Sequence, residues 1–471
     1  MATVNFSGLA SGIDFEALIT ATSDAARAQR VTPNQKKVQD LGDTNTALSE
    51  LKSKLNTLKS KISAFSSLSG GPLSKTASSS DETLISASAS NAAPNGTYSI
   101  TVSALAKSHT LSFNDRFAAA DTIVAPTIVD PATNAGTHTR EIAITVGTSG
   151  TPFYIDVSPT TTLSGIADSI NSANQNVIAS VVNTGQTPPY ALVLKSTKTG
   201  VADGDITVTT GSDIAAVPIF QVMTEDAAQN ATFAITGVSG TISSATNTIS
   251  NVLPGLTLNL VATTVTPVTI SVADDISGTT SKVQEFVNAY NDIITYLDEQ
   301  NEIERVENGT RVDNIFGPLA SSRIDENAVQ SLRNAIIEAR NPNGTNARIF
   351  ADLGIKTKQD GTLEFKTSDL NDAISADSFS VDTILRNFAD AVSSTGGTID
   401  QYTGFNNIID TSVNSNKERI TDLNDRIAEL EAQILQNETN MRARFSRLEG
   451  LISRLQQQGA QASSALAGLS N

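Results

Sequence analysis

The side chains best suited to chemistry in this 471-residue chain are two histidines, and there is no cysteine. A zinc site made from His109 and His138 would need several added carboxylates, and no H-E-x-x-H pair occurs. A serine nucleophile would need a nearby base and a G-x-S-x-G turn, which the sequence lacks. Both histidines are therefore predicted to be ordinary strand or loop residues.

Other short motifs also fall short of a catalytic or ligand site. Residues 70–76 resemble a phosphate-binding loop, but Ser74 stands where the second glycine belongs. The acidic residues 203–205 and 274–275 do not fit a twelve-residue calcium loop. Adjacent carboxylates such as Asp325 and Glu326 are typical of a solvated surface in an acidic chain. We predict no catalytic residue, metal or cofactor, and no enzyme activity.

The overall charge restricts the choice of partners. A formal net charge of −17 repels nucleic-acid phosphates and anionic lipid headgroups. No apolar run is long enough for a membrane span, and the amino terminus lacks the pattern of a conventional secretory signal. We therefore expect no nucleic-acid partner and no membrane insertion.

Both ends of the chain carry apolar residues at alternating spacings of three and four, which predicts amphipathic helices. An intramolecular bundle face is the commoner source of this pattern, and a coiled coil between subunits is the alternative. The predicted coiled-coil or oligomer-interface residues are Leu41, Leu48, Leu51, Leu55, Leu58, Ile62 and Phe65 near the start, and Ile420, Leu423, Ile427, Leu430, Ile434, Met441, Leu448, Leu451 and Leu455 near the end.

The middle of the chain, from about residue 75 to 275, alternates Thr, Ser, Val and Ile in short runs that predict half-buried strands. Examples are residues 97–103, 141–147, 190–194 and 257–261. A helix over residues 162–174, with Ser164 as its cap, is expected to interrupt the strands.

Helical periodicity resumes at Lys282, so sequence-distant helices flank one β-rich region. The predicted fold class is α+β multidomain, with a discontinuous helical coiled-coil stalk from both chain ends carrying inserted β-rich head domains. The expected divisions are a mobile terminal segment 1–36, a stalk helix 37–70, a head domain from 71–113 and 228–280, a second head domain 114–227 inserted in it, a helical domain 281–415, a coiled-coil helix 416–458 and a mobile segment 459–471.

A chain that leaves the stalk for a head and returns should pair its terminal helices antiparallel. Lys52 and Lys59 flank one seam, and Glu431 and Glu438 flank the other. One antiparallel register places Lys52 opposite Glu438 and Lys59 opposite Glu431, so we expect these two ion pairs.

Several stretches, in order along nearly the whole chain, resemble the bacterial flagellar filament-capping, or hook-associated protein 2, family. They are residues 6–14, 98–111, 162–174, 228–237, 251–260, 316–319, 353–355 and 360–363, followed by the closing heptads. The terminal family motif comprises Ser7, Gly8, Leu9, Ser11, Gly12, Ile13 and Asp14. Residues 17–24 depart from the family pattern, since Thr20, Thr22 and Ser23 replace apolar positions.

The resemblance implies a structural cap at the distal end of the flagellar filament, an oligomeric plate with helical legs that promotes flagellin folding and insertion and prevents flagellin loss. It implies a homo-oligomeric ring of about five subunits, with flagellin, hook–filament junction proteins and an export chaperone as partners. The expected location is extracellular, at the flagellum tip, after export through the flagellar secretion channel without a cleaved signal peptide.

Rival interpretations remain open. A hook–filament junction protein or a flagellin-like axial subunit would share helical termini around a β insertion. A β-rich surface adhesin is supported by the Thr/Ser-rich middle, and adhesion is also compatible with capping.

Overall fold

The computed structural model describes residues 12–125, 140–214, 223–308 and 311–469, with side chains at 223, 307–313 and 465–469 left undescribed. The chain forms two compact units. The first joins both chain ends, Met1–Pro72 and Thr279–Asn471, and the second is the middle, Leu73–Gly278. His138 and the motif residues Ser7, Gly8, Leu9 and Ser11 lie outside the described residues.

The elements are numbered in chain order. The helices are α1 (Phe15–Arg30), α2 (Thr32–Ser63), α3 (Leu163–Ala173), α4 (Val201–Gly204), α5 (Ile276–Gln300), α6 (Ile324–Glu338), α7 (Thr367–Ser393), α8 (Asp400–Thr403) and α9 (Ile408–Leu469). The strands are β1 (Lys75–Ser79), β2 (Ile85–Ala89), β3 (Gly96–Ala104), β4 (Thr110–Phe113), β5 (Glu141–Val146), β6 (Phe153–Asp156), β7 (Val177–Asn183), β8 (Tyr190–Ser196), β9 (Ile206–Thr210), β10 (Met223–Asp226), β11 (Ala231–Ile235), β12 (Ile242–Ser244), β13 (Thr248–Leu253), β14 (Leu256–Leu260), β15 (Val268–Asp274), β16 (Ile303–Asn308), β17 (Arg311–Phe316), β18 (Ile355–Thr357) and β19 (Leu363–Phe365).

The helical unit begins with α1 and α2, which are separated at Val31. The Asp14 side chain caps α1 by accepting a hydrogen bond from the Ala17 amide at 3.0 Å. Pro33 lies in the first turn of α2, where its missing N–H removes no intrahelical hydrogen bond. The predicted helix over 37–70 thus starts five residues earlier and ends at Ser63.

Aromatic rings form the centre of the helical unit. Phe286 of α5 is fully buried and meets Phe65, Phe350 and Phe388 edge to face, with ring centroids 5.3 to 6.3 Å apart. Edge-to-face pairs of this kind add to the stabilisation from apolar burial. The three- and four-residue spacing that predicts α5 therefore marks its buried face.

The β-rich unit contains two hydrophobic cores. The first lies between a five-stranded sheet, in the order β1-β15-β3-β11-β12, and a three-stranded sheet, β13-β14-β2. Ile100 of β3 is opposite Ile235 of β11 and Val268 of β15, and all three are buried. Chain segments from either side of residues 114–227 therefore share one sheet.

The second core is formed by the sheets β10-β4-β8-β7 and β6-β5-β9, together with α3. Leu163, Ile166 and Ile170 of α3 are buried in it, as the predicted helix requires. The cap is Thr162, whose hydroxyl accepts a hydrogen bond from the Gly165 amide at 3.0 Å. The prediction of Ser164 as cap is wrong, because Thr162 still has extended backbone geometry and α3 already begins at Leu163.

The change from the first core to the second comes earlier in the chain than expected. Strand β4 precedes the predicted boundary at residue 114, yet Leu111 and Phe113 are buried in the second core. The preceding His109 is 3% exposed and accepts a hydrogen bond from the Ile206 amide at Nδ1. The chain crosses between sheets without a Gly or Pro, so composition gave no sign of the crossing.

Candidate assembly interface of the terminal helices

Helix α9 runs antiparallel to α1 and α2 in the helical unit. Asn416 of α9 donates a hydrogen bond to Asn45 of α2 at 3.0 Å, and the Lys52 ammonium lies 2.5 Å from an Asp410 carboxylate oxygen. As residue numbers rise along α2 they fall along α9. The antiparallel arrangement expected from the chain path is confirmed.

The predicted apolar residues of α2 lie on one buried face. Leu48, Leu51, Leu55, Leu58 and Ile62 are at most 1% exposed, as is Phe65 just after the end of α2, whereas Leu41 is half-buried. On α9, Leu430 and Ile434 are buried against Val31. Ile420, Leu423, Ile427 and Met441 are half-buried. This part of both predicted sets is therefore an intramolecular helix contact.

Helix α1 extends the same contact, although residues 1–36 are expected from sequence to be mobile. The Phe15 ring stacks on Phe445 of α9 with centroids 4.5 Å apart, and Ile19 is 2% exposed. Arg442 of α9 pairs with Glu16. From Phe15 onward the segment is thus helical and packed. Its buried positions Phe15, Ile19 and Ser23 recur every four residues, but this helical period is hard to see in the sequence because Ser23 is polar.

Arg27 is the main polar link between α1 and α9. Its guanidinium lies 3.1 Å from Glu431 and 3.1 Å from Glu438. The hydrogen bond to Glu431 is the largest cause of the raised pKa of Arg27, and burial opposes it. The two glutamates predicted to pair with lysines of α2 are therefore bound by one arginine of α1.

The predicted ion-pair register is wrong. Lys52 pairs with Asp410 rather than Glu438, and Lys59 pairs with Asp400 at 2.9 Å rather than with Glu431. For Lys52 the displacement is 28 residues, or four heptads, whereas the partner of Lys59, Asp400, lies in α8 before α9 begins. A heptad pattern fixes which face is apolar, but every shift by a multiple of seven leaves that face matched.

The Lys52–Asp410 pair gives a direct test of the observed register. Combining Lys52→Met with Asp410→Asn should reveal a coupling energy of about 0.2 to 1 kcal/mol at neutral pH. Lys52→Met combined with Glu438→Gln should show no coupling. Urea denaturation of the single and double variants measures both values, and coupling only in the Glu438 pair would restore the register expected from sequence.

The coupling should also depend on pH with a defined sign. The Lys52 hydrogen bond is the largest cause of the lowered pKa of Asp410. A lowered pKa in the folded state stabilises the protein above the unfolded value of about 3.9. The coupling should therefore disappear as pH falls through the folded pKa, because the protonated carboxyl carries no charge.

Beyond Phe445, α9 continues past the contact with α1. We call residues 446–464 of α9 the tail. Leu448, Leu451 and Leu455 are 42%, 54% and 57% exposed. These three predicted interface residues are not covered by any described part of the chain.

The described part of the terminal motif lies at the start of α1. Gly12 has a φ of +72°, which favours glycine, and Ile13 is 51% exposed. Asp14 caps α1 as described above. The motif was recognised by its resemblance to the family, and the structure shows that Asp14 within it caps α1.

The other candidate chemical residues do not form a site in the described part of the chain. Within the described residues, no group of three His, Cys, Asp or Glu side chains is placed to hold a metal ion. Asp325 is 1% exposed and accepts a hydrogen bond from the Asn301 side chain at 2.7 Å, so it is a buried carboxylate of α6 rather than a solvated one. No described helix has the length and hydropathy required to cross a bilayer.

Known families match most of the sequence. The family described as "Flagellar hook-associated protein 2 C-terminus" matches residues 228–457, and "Flagellar hook-associated protein 2 N-terminus" matches residues 11–109. A "Flagellin hook IN motif" matches residues 141–198, within the β-rich unit. The first two matches together span more than two thirds of the chain.

Individual relatives extend over similar lengths. The B-type flagellar hook-associated protein 2 of Pseudomonas aeruginosa is 28% identical over 425 residues, covering 86% of this chain and 85% of that protein. Flagellar hook-associated protein 2 of Escherichia coli K12 is 25% identical over 400 residues, covering 82% of this chain and 81% of that protein.

A solved structure shares the fold. The crystal structure of the D1-D2-D3 domains of the Escherichia coli flagellar cap protein FliD superposes with a TM-score of 0.61 at 24% identity, covering 79% of this chain and 99% of that one. The predicted fold class, helices from both chain ends with β-rich domains between them, is confirmed. With both family matches in chain order and relatives of nearly equal length, this chain belongs to the flagellar hook-associated protein 2 family.

Proposed function

We propose that this chain is a structural subunit of the cap at the distal end of the bacterial flagellar filament. The observation that carries the proposal is the antiparallel contact between α9 and the helices α1 and α2, which leaves the apolar face of the tail exposed. An exposed apolar row on a rigid helix is suited to assembly with other helices. Family membership identifies the flagellar filament as the setting.

The two units suggest a division of labour. The helical unit supplies the surface that contacts flagellin and positions the subunit on the filament. The β-rich unit supplies the plate, beneath which incoming flagellin folds and is retained. Leu448, Leu451 and Leu455 are assigned to an oligomer interface, whereas the α2 residues are assigned to the fold of each subunit.

The assembly is a homo-oligomeric ring of about five subunits at the tip of the filament, outside the cell. Flagellin is its principal partner, with hook–filament junction proteins beside it during assembly. An export chaperone delivers the chain to the flagellar secretion channel, which it passes without a cleaved signal. The role is structural rather than enzymatic.

Complementation tests this function. In a flagellated strain whose own copy of the gene is deleted, expression of the full chain should restore long filaments and lower the flagellin found in the medium. Electron microscopy counts the filaments, and immunoblotting measures secreted flagellin and the secreted chain itself. A chain that is secreted and folded but leaves filament number and flagellin loss unchanged would contradict the cap function.

A further inference from the structure

An acidic groove lies within the helical unit, between α2 and the β16–β17 hairpin, with a volume of about 960 Å³. Asp40 and Asp43 line it from α2, and Glu302 and Glu304 line it from the hairpin side. All four carboxylates are exposed, and none is ion-paired with a cation in the described part of the chain. Among the lining residues that the structure describes, Lys36 is the one lysine or arginine, so this described part of the groove has an excess of negative charge.

The same groove contains exposed apolar surface. Ile315 and Phe316 of β17 line it and are 54% and 62% exposed. Ile303, which pairs with Phe316 across the hairpin, is 55% exposed. Large side chains clustered in this way indicate a surface that another chain covers.

The tail of α9 has complementary chemistry. At 100° per residue, six side chains project from α9 within a sector of about 120° around the helix axis. Five belong to the tail and one, Arg444, lies just before it; the others are Arg447, Leu448, Leu451, Arg454 and Leu455. All six are exposed. Three arginines can meet carboxylates while three leucines cover apolar side chains, and such a helix is suited to an acidic groove with an apolar floor.

The tail cannot occupy the groove of its own chain. The Asn45–Asn416 hydrogen bond fixes the axial level of α2 relative to α9, and places the groove at about the axial level of residue 424 of α9. The centre of the tail's mixed face lies about 26 residues further, or roughly 40 Å along the helix axis. Because α9 is unbroken from Ile408 to Leu469, it cannot fold back over that distance.

We propose that the acidic groove between α2 and the β16–β17 hairpin binds the tail of a second copy of this chain. Arg447 and Arg454 meet the carboxylates of the groove, and Leu451 packs on Ile315 and Phe316. The proposal rests on the oligomer interface proposed above and names the surface that this interface contacts. Cross-linking of the purified chain in solution can fail while complementation succeeds, so the two failures are distinguishable.

Cysteine cross-linking tests the contact directly, because the chain has no cysteine of its own. Full-length Ile315→Cys and full-length Leu451→Cys, carrying tags of different size, are mixed and mildly oxidised. A disulfide-linked dimer containing both tags is expected. The matched control replaces Ile315→Cys by Ser53→Cys, an exposed position on α2 away from the groove, and should give about tenfold less product.

Charge reversal provides the second measurement. Arg447→Glu with Arg454→Glu in the tail should lower the yield about tenfold, as should 1 M salt, which screens exposed charges. Adding Asp40→Arg and Asp43→Arg to the partner should restore it. Equal yields from Ile315→Cys and Ser53→Cys, or no rescue by the groove reversals, would overturn the proposal and assign the tail to another partner.

Discussion

Replacing Leu448, Leu451 and Leu455 together by glutamine should abolish filament growth while both units remain folded. These leucines are half-exposed in the isolated chain, so their loss leaves no cavity. If assembly buries them, each substitution removes about 1 kcal/mol of apolar burial, and three weaken self-association more than a hundredfold. Filaments should fall to the number seen without the gene, and secreted flagellin should rise.

A matched control separates the apolar row from the tail as a whole. Ser446→Gln, Ser453→Gln and Ala460→Gln place the same side chain on the opposite, exposed face of the tail. This variant should form filaments normally. Immunoblotting of the secreted chain checks that both variants are exported equally, and thermal unfolding checks that both are folded. Normal filaments from the leucine variant would show that the tail's apolar row is dispensable.

Phe286→Ala should strongly destabilise the helical unit and leave the β-rich unit folded. The side chain is fully buried among Phe65, Phe350 and Phe388, so its removal leaves a cavity as well as lost apolar contact. Substitutions of this kind cost about 3 to 5 kcal/mol of unfolding free energy. The effect should be confined to one transition because each unit has its own core.

Calorimetry of the full chain measures this prediction. Phe233 is fully buried in the first β core, so Phe233→Ala should lower the midpoint temperature of the other transition. Phe405 is 89% exposed, so Phe405→Ala should lower neither midpoint. If Phe286→Ala lowered the midpoint temperatures of both transitions equally, the two units would unfold as one cooperative body.

The positions of many elements are predictable from sequence because their patterns repeat over several turns or residues. The spacing of Leu48, Leu51, Leu55 and Leu58 identifies the buried face of α2, and α5 follows the same rule. Alternation identifies β3 and β8 to within a few residues. In each case the periodicity of the apolar residues matches the geometry of the element, so local sequence contains the needed information.

The register between the terminal helices was decided only by tertiary structure. Heptads leave shifts of seven residues equivalent, and the choice depends on where α1 ends and which acids face Lys52 and Arg27. Helix α1 itself has too few bulky residues to predict from sequence. It is stabilised because Phe445 of α9 supplies a stacking partner for Phe15 and because Ile19 is buried.

For the candidate interface, too, sequence determined one property and tertiary structure another. Heptad spacing selected Leu430 and Leu455 alike, yet Leu430 is 7% exposed and Leu455 is 57% exposed. Sequence periodicity reports that a helix has an apolar face, but the burial of that face depends on how far the facing helix extends. Here α1 begins at Phe15 opposite Phe445, and the apolar row of α9 continues beyond it. The amino-acid sequence therefore determined the face, and only the tertiary contact determined which part of it the described chain buries and which part it leaves exposed.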